Sequence, residues 1–336
     1  MMGIKLYATY PKGGYGLPYG YNVGHLDISL VFMPKHSVIF LMGPTASGKT
    51  ELAIELCKHF DAYLISVDSA LIYRTMDIGT AKPDTETLQN HPHALVNICD
   101  PEDSFSVNDF VSQAKTHINL ALEQNKLPIL VGGTSFYFHA LEYGLSALPE
   151  STNESRQYFT EQLNTLGSEE LHKQLNDIDP IAAKRIHCND SQRVTRGLEV
   201  HYLSGKTLSE LQGNKGDNAL NNPIKKIVLM PDRALLHQRI EQRFNKMMKD
   251  GFIDEVQMLR TNKKLNLNLP SIRCVGYRQA WQYLDGDITQ SEMIEKAVIA
   301  TRQLCKRQCT WLRHENDALT LTETSIDKAI EFIRNL

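Results

Sequence analysis

No stretch of the 336-residue chain strings together the roughly 20 apolar residues that a membrane-spanning helix needs. The first residues also lack a basic start followed by a continuous apolar run, so no secretory signal is read there and a cytoplasmic protein is expected. Cysteine is scarce and scattered. The six positions, Cys57, Cys99, Cys188, Cys274, Cys305 and Cys309, form no CxxC pair, which argues against a zinc ribbon or a disulfide framework. Charge of one sign is missing as well: the formal net charge is -3, whereas proteins that bind nucleic acid usually carry a basic surface. Any nucleic-acid partner therefore has to be met by local clusters. Internal repeats are absent, which sets aside solenoids and propellers.

What is present is a chain with 42% hydrophobic residues, enough for a substantial core and for more than one module. Residues 1–35 hold a Gly/Tyr/Pro tract around Tyr10 to Gly20 with no sustained period, and are expected to be a poorly ordered extension. Met33 stands just before the first strand, so a translation start there is one explanation of the tract. From Val38 short buried strands alternate with amphipathic helices: Val38 to Met42, a helix from Gly48 to about Phe60, Tyr63 to Val67, a helix from Val107 to about Gln124, then Pro128 to Val131. Alternation of this kind predicts α/β architecture with a parallel sheet flanked by helices. Between about Glu150 and Leu211 only helical periods remain, and a strand resumes at Ile227 to Met230. Long helices follow at Arg233 to Lys249 and Ser291 to Arg313, then a strand near Leu319 to Leu321 and a last helix. The expected division is an α/β catalytic domain over 36–149 and 223–336, interrupted by an all-helical insertion over 150–222 whose exit linker is the Gly/Asn-rich stretch 213–222.

The first strand runs straight into Gly43, Pro44, Thr45, Ala46, Ser47, Gly48, Lys49 and Thr50, which fits the phosphate-loop pattern G-x-x-x-x-G-K-T in its proper context between strand and helix. The glycines let successive backbone N–H groups point inward, and the helix N-terminus adds partial positive charge. Lys49 supplies a point charge for a terminal phosphate, and Thr50 is placed to bring its hydroxyl to a Mg²⁺ ion on the phosphate oxygens. The loop alone does not separate ATP from any other diphosphate. The second strand ends in Asp68, and strand ends of open α/β sheets face the ligand crevice, although an acid there also serves as a helix cap. A motor ATPase wants a long apolar strand ending in an acid; Pro128 to Val131 ends instead in Gly132, Gly133 and Thr134, which favours group transfer over hydrolysis coupled to motion.

From about Pro34 onward the chain resembles the tRNA dimethylallyltransferases, also called tRNA isopentenyltransferases. The likeness rests on the phosphate loop, on Asp68, Ser69, Ala70 and Leu71 with the Met76 to Pro83 segment, and on Leu130 to Thr134. It rests also on Gln192, Arg193, Val194, Thr195 and Arg196; on Arg273, Cys274, Val275, Gly276, Tyr277 and Arg278; and on Lys306, Arg307, Gln308, Cys309, Thr310, Trp311, Leu312 and Arg313. The resemblance implies a P-loop fold whose loop holds dimethylallyl diphosphate with Mg²⁺. The acceptor it implies is the exocyclic N6 amine of the adenosine at position 37, next to the anticodon of tRNA. On the same ground Asp68 is the base that accepts the amine proton, and Thr134 and Arg156 assist at the reacting centre. The later motifs, together with Asp68 to Leu71, are the expected tRNA contacts. A monomer with no obligate protein partner is the simplest expectation.

The chemistry is consistent with those residue types. A carboxylate that accepts an adenine N–H aligns a poor nucleophile, and cations neutralise the departing diphosphate. The target base must leave its stack to enter a pocket. Local cations answer the unfavourable net charge. Along the Ser291 to Arg313 helix, Arg302, Lys306 and Arg313 share one face, while Ile294, Ala297, Thr301, Leu304, Gln308 and Trp311 are expected to face the core. Lys184, Arg185, Arg193 and Arg196 add basic residues in the insertion, though any one such cluster is also what a solvated helix face looks like. Three other readings share parts of this pattern: a nucleotide kinase, a prenyltransferase acting on free adenine nucleotides, and a non-catalytic nucleotide-binding module.

Overall fold

The chain begins its described course with β1 (Val38–Met42), α1 (Lys49–Leu56) and β2 (Ala62–Val67). A turn-rich stretch follows, holding only α2 (Thr85–Asn90) and the two-residue β3 (His93–Ala94). Then come α3 (Val107–Glu123), β4 (Leu127–Gly132) and α4 (Ser135–Tyr143). Helices α5 (Asn153–Ile178), α6 (Pro180–Arg185), α7 (Ser191–Ser204) and α8 (Leu208–Gln212) precede β5 (Ile224–Leu229). The last third holds α9 (Arg233–Lys249), α10 (Phe252–Leu259), α11 (Tyr277–Asp285), α12 (Gln290–Leu312), β6 (Ala318–Leu321) and α13 (Ile326–Arg334). The structure is a computed structural model that describes residues 37–212 and 218–335. The expected extension over 1–35, and residues 213–217 of the expected linker, lie outside the described residues.

The strands form one sheet in the order β3-β2-β4-β1-β5-β6, and every pairing is parallel. Their run of buried apolar residues is what a sheet covered on both faces demands. In β1 the period of two sends Val38, Phe40 and Met42 to a layer with Phe110, Ala114 and Ile118 of α3 and Phe138 of α4. Ile39 and Leu41 face the opposite layer with Leu52 and Leu56 of α1 and Ala329 and Ile333 of α13. Helix α3 starts on a reciprocal cap between Ser106 and Asp109, which fixes its entry from the loop. Helix α1 is shorter than the expected Gly48 to Phe60, because Lys58 N–H and His59 N–H turn back to the carbonyls of Glu55 and Leu56.

Two further apolar clusters lie off the sheet. One joins α9, α10, α11 and α12 through Ile240, Phe244, Phe252, Trp281 and Met293. The other gathers Phe159, Leu171, Leu175, Ala183, Val194 and Leu198 of α5, α6 and α7. Helix α5 is two helices meeting at Gly167, whose φ of 78° only glycine adopts without strain. Among the described residues no helix is long and apolar enough to cross a membrane.

Candidate active site

The strand order decides what meets at the carboxyl edge of the sheet. Because β4 lies between β2 and β1, the loops after all three strands stand side by side. The loop after β1 is the phosphate loop, that after β4 carries Gly133 and Thr134, and that after β2 carries Asp68. Gly43 N–H donates to the carbonyl of Gly132 at 3.3 Å, and Thr134 N–H donates to that of Val67 at 3.2 Å, so the three loops are tied directly. All of them line one cavity of about 620 Å³.

The phosphate loop curls through left-handed backbone at Ala46 (φ 64°) and Gly48 (φ 94°). Lys49 is partly buried at the end of the curl, and its ammonium donates to the carbonyl of Pro44 at 3.2 Å. Burial pulls its pKa down from 10.5 to about 8, with Arg243 adding to the effect and Asp68 opposing it. Thr50 lines the same cavity. Asp68 closes an Asx turn, its Oδ1 accepting Ala70 N–H at 2.8 Å and Leu71 N–H at 3.4 Å. Capping and cavity-facing roles thus coexist in one carboxylate, since Oδ2 takes no part in that turn. The Thr134 hydroxyl accepts Ser69 N–H at 3.1 Å and so holds the Asp68 turn from the β4 side.

Two cations that the motif reading missed brace the phosphate loop, and one of them, Arg243, also lines the cavity. Arg243 of α9 is partly buried and donates to Thr45 Oγ1, while Arg239 donates to the carbonyls of Ala46 and Ser47 at 3.4 and 3.3 Å. Burial lowers the Arg243 pKa, and the neighbouring Asp68 and Glu51 carboxylates offset part of this. A sequence signal existed: Arg239 and Arg243 are spaced one turn apart and flank the buried Leu236, Ile240 and Phe244, an unusual place for charge.

The remaining wall comes from the segment after Asp77. Glu255 accepts the N–H groups of Asp77, Ile78 and Gly79 at 2.8, 2.7 and 3.2 Å and the hydroxyl of Tyr277 at 2.5 Å. This anchors Thr80, Ala81 and Pro83 against the cavity. Cys274 also lines it, and burial raises its thiol to about 12, with Asp68 adding to the effect, so the thiol stays protonated.

Measured against the expected site, the structure sorts the residues. Ser69, Ala70, Leu71, Arg273, Cys274, Val275, Arg307 and Trp311 line the cavity with Asp68 and Thr134. Gln192, Arg193, Arg278, Lys306, Thr310 and Arg313 are exposed, and Thr195, Gly276 and Cys309 are covered to differing degrees. Several expectations are corrected. Val194, Tyr277 and Leu312 are buried in apolar clusters, so their side chains hold their motifs in place rather than touch a ligand. Arg196 is spent internally on Glu199, Ser151 and the carbonyl of Pro149, and Arg302 pairs with Glu241 at 2.8 Å. Arg156 stands exposed on the first turn of α5 and does not line the cavity. Trp311, expected in the core, is 45% exposed at the cavity mouth beside His139. Gln308 turns inward onto the phosphate loop.

With the geometry in hand, comparisons with known proteins agree among themselves. A model of the IPP transferase family matches residues 71–315, a span that begins just after Asp68. The chain is 62% identical over 299 residues, 89% of its length, to a tRNA dimethylallyltransferase of Ruthia magnifica subsp. Calyptogena magnifica, 98% of which is covered. It is 61% identical over the same extent to a tRNA dimethylallyltransferase of Vesicomyosocius okutanii subsp. Calyptogena okutanii. Among solved structures, a tRNA isopentenylpyrophosphate transferase of Bacillus halodurans matches with a TM-score of 0.63 and 34% identity, over 90% of this chain and 95% of that one. A eukaryotic dimethylallyltransferase acting on tRNA matches with a TM-score of 0.74 and 25% identity, over 89% and 80%.

Proposed function

The chain belongs to the IPP transferase family, and on that premise we propose that it transfers the dimethylallyl group of dimethylallyl diphosphate to the N6 amine of adenosine 37 in tRNA. The observation that carries this is the meeting of the phosphate loop, Thr134 and the Asp68 carboxylate in one cavity at the carboxyl edge of β1, β4 and β2. A carbon–nitrogen bond forms between N6 and the allylic carbon while that carbon's bond to the diphosphate oxygen breaks. Asp68 takes the amine proton through the oxygen left outside its turn. The charge that appears on diphosphate meets Lys49, Arg243 and the inward N–H groups of the loop, already fixed in place. Phosphate-loop chemistry here serves the diphosphate of the prenyl donor rather than ATP.

The donor set suits a hard divalent ion. Among the described residues no group of three or more His, Cys, Asp or Glu side chains could hold a metal unaided. The Thr50 hydroxyl would nevertheless offer an oxygen donor to Mg²⁺, a hard ion that takes few protein ligands. Bound there, Mg²⁺ would neutralise charge on the leaving diphosphate.

The tRNA side of the proposal uses Ser69 to Leu71 and Arg273 to Val275 around the extruded base, with Lys306 and Arg307 of α12 and Arg313 at its C-terminal cap toward the RNA backbone. The helical segment 150–222 acts as an insertion domain that contacts tRNA through Gln192 and Arg193, and Arg156 would have to move to reach the cavity. The test is transfer of labelled dimethylallyl diphosphate to unmodified tRNA, with AMP as parallel acceptor and ATP turnover followed separately. Label in tRNA alone, without tRNA-stimulated ATP hydrolysis, is expected. Label in AMP points to a nucleotide prenyltransferase, and steady ATP turnover overturns the assignment of the phosphate loop.

A further inference from the structure

Within the Lys306 to Arg313 motif, Gln308 behaves unlike its neighbours. Lys306, Arg307 and Thr310 are exposed, whereas the Gln308 amide is directed into the site and partly buried. Its Oε1 accepts Thr45 N–H at 2.9 Å, and its Nε2 donates to the carbonyl of Gly133 at 2.8 Å. One end of the amide therefore holds the phosphate loop. The other holds the loop whose next residue, Thr134, accepts Ser69 N–H beside Asp68.

We propose that Gln308 is the positioning residue that sets the gap between the phosphate loop and the Asp68 turn, and hence between allylic donor and adenine acceptor. The inference rests on the transfer reading above and names a device within the same site. Glutamine suits the task because an amide offers one acceptor and one donor without charge. A carboxylate at that place would meet the Gly133 carbonyl with like polarity, and a leucine would satisfy neither partner. Gly133 bears the mark of this approach: a Cβ there would stand 2.5 Å from Gln308 Nε2 and 3.2 Å from the carbonyl oxygen of Gly43. The contact crosses 263 residues to Thr45 and 175 to Gly133, so α12 clamps two loops that the sheet already juxtaposes. A displacement of about 1 Å between reacting groups costs roughly 10²-fold in rate, which makes such a clamp consequential without its touching either substrate.

The test compares the parent enzyme with Gln308→Leu and Gln308→Glu in transfer kinetics, tRNA binding and thermal melting. Gln308→Leu is expected to lower kcat by about 10- to 100-fold and raise KM for dimethylallyl diphosphate, while tRNA affinity stays within about twofold. Gln308→Glu is expected to be poor at about pH 8 and to recover relative to the parent as pH falls toward about 6, because a protonated carboxyl again offers one donor and one acceptor. Parental turnover in Gln308→Leu overturns the inference, as does a loss that follows tRNA affinity alone. A lowered melting temperature with unchanged kcat per folded molecule overturns it too. A parent that transfers nothing to tRNA removes the reading beneath it, whereas an active parent with an indifferent Gln308→Leu removes only this device.

Discussion

Lys49 of the phosphate site and the arginines of the helical segment were expected to meet the substrates, yet the two regions sit in opposite electrostatic states. In the helical segment the charge is matched within the chain: Arg193 pairs with Asp190 and Arg196 with Glu199, each at 2.6 Å. Around the phosphate loop, Lys49 and Arg243 are partly buried, and among the described residues neither forms an ion pair within 4.0 Å. Their contacts are a carbonyl and a hydroxyl. Desolvating a cation with no counter-charge in direct contact is expensive, and the depressed pKa of Lys49 records that expense even with Asp68 opposing it. An anion that enters relieves it. The difference teaches that a cation announces a ligand when the fold has left it uncompensated, and that two arginines three residues apart announce nothing by themselves.

The largest effect should come from Asp68, the group proposed to stand between the two substrates. Asp68→Asn is expected to depress single-turnover transfer by about 10² to 10⁴ while tRNA affinity holds nearly constant. Near-normal turnover would strip Asp68 of its base role and leave it only the Asx turn. Next is Arg243→Ala, expected to cut kcat/KM for dimethylallyl diphosphate by about 10² to 10³ with little change in tRNA binding, as for losing a fixed donor to developing charge. Arg239→Ala should cost less, because Arg239 is engaged with the loop's own carbonyls. If both variants weaken tRNA instead, the contrast between the regions collapses.

Titration of Lys49 gives a smaller and more graded effect. Its folded pKa is lowered from 10.5 to about 8, so between those values the unfolded chain binds more protons and stability of the free enzyme rises with pH. Donor binding runs the other way. Diphosphate wants the ammonium, so affinity for dimethylallyl diphosphate should be flat with respect to this group below about pH 8. Above it, affinity should fall by up to about tenfold per pH unit, measured by direct binding across a pH series. A flat profile to pH 10 would mean that the uncompensated charge is not where the diphosphate sits.

Sheet, helices and phosphate loop were legible because each is a local pattern: a period of two or 3.6, or the spacing of Gly43 and Gly48 before Lys49. The helix spans 107–123 and 233–249 differ from expectation by a residue at most. What stayed hidden depends on distance in sequence. The segment from Leu71 to Asp100 has no period, being held in turns with positive φ at Thr75, Ala81, Leu95 and Asn97, and α2 and β3 passed unnoticed within it. Arg243 reaches the loop across 198 residues and Gln308 across 263, and although each lies beside the buried stripe of its own helix, nothing local names the partner it meets. The helical period of α12 did place Gln308 inward, yet it also placed Trp311 inward, and Trp311 stands at the exposed mouth. Period locates a face; only the fold shows what the face meets.

The smallest effects test the helical segment, where Arg193 and Arg196 should part company. Glu199 is 5% exposed and accepts hydrogen bonds from Arg196, Ser151 and Ser155, each at 2.6 Å. Burial pushes its carboxyl up, but those three donors outweigh burial and hold it below the ordinary value. Arg196→Ala leaves that carboxylate short of its charged partner, which should destabilise the segment by about 2 kcal/mol, while the salt dependence of tRNA binding hardly changes. Arg193 has a side chain 67% exposed, and its pair with Asp190 contributes less than about 1 kcal/mol. Arg193→Ala should therefore leave the melting temperature in place and lower the salt slope of tRNA binding by about one, as for one lost phosphate contact. Identical behaviour of the two variants, in melting and in salt slope alike, would show that the compensated pairs open when tRNA arrives, and that the free structure's bookkeeping of charge does not carry over to the complex.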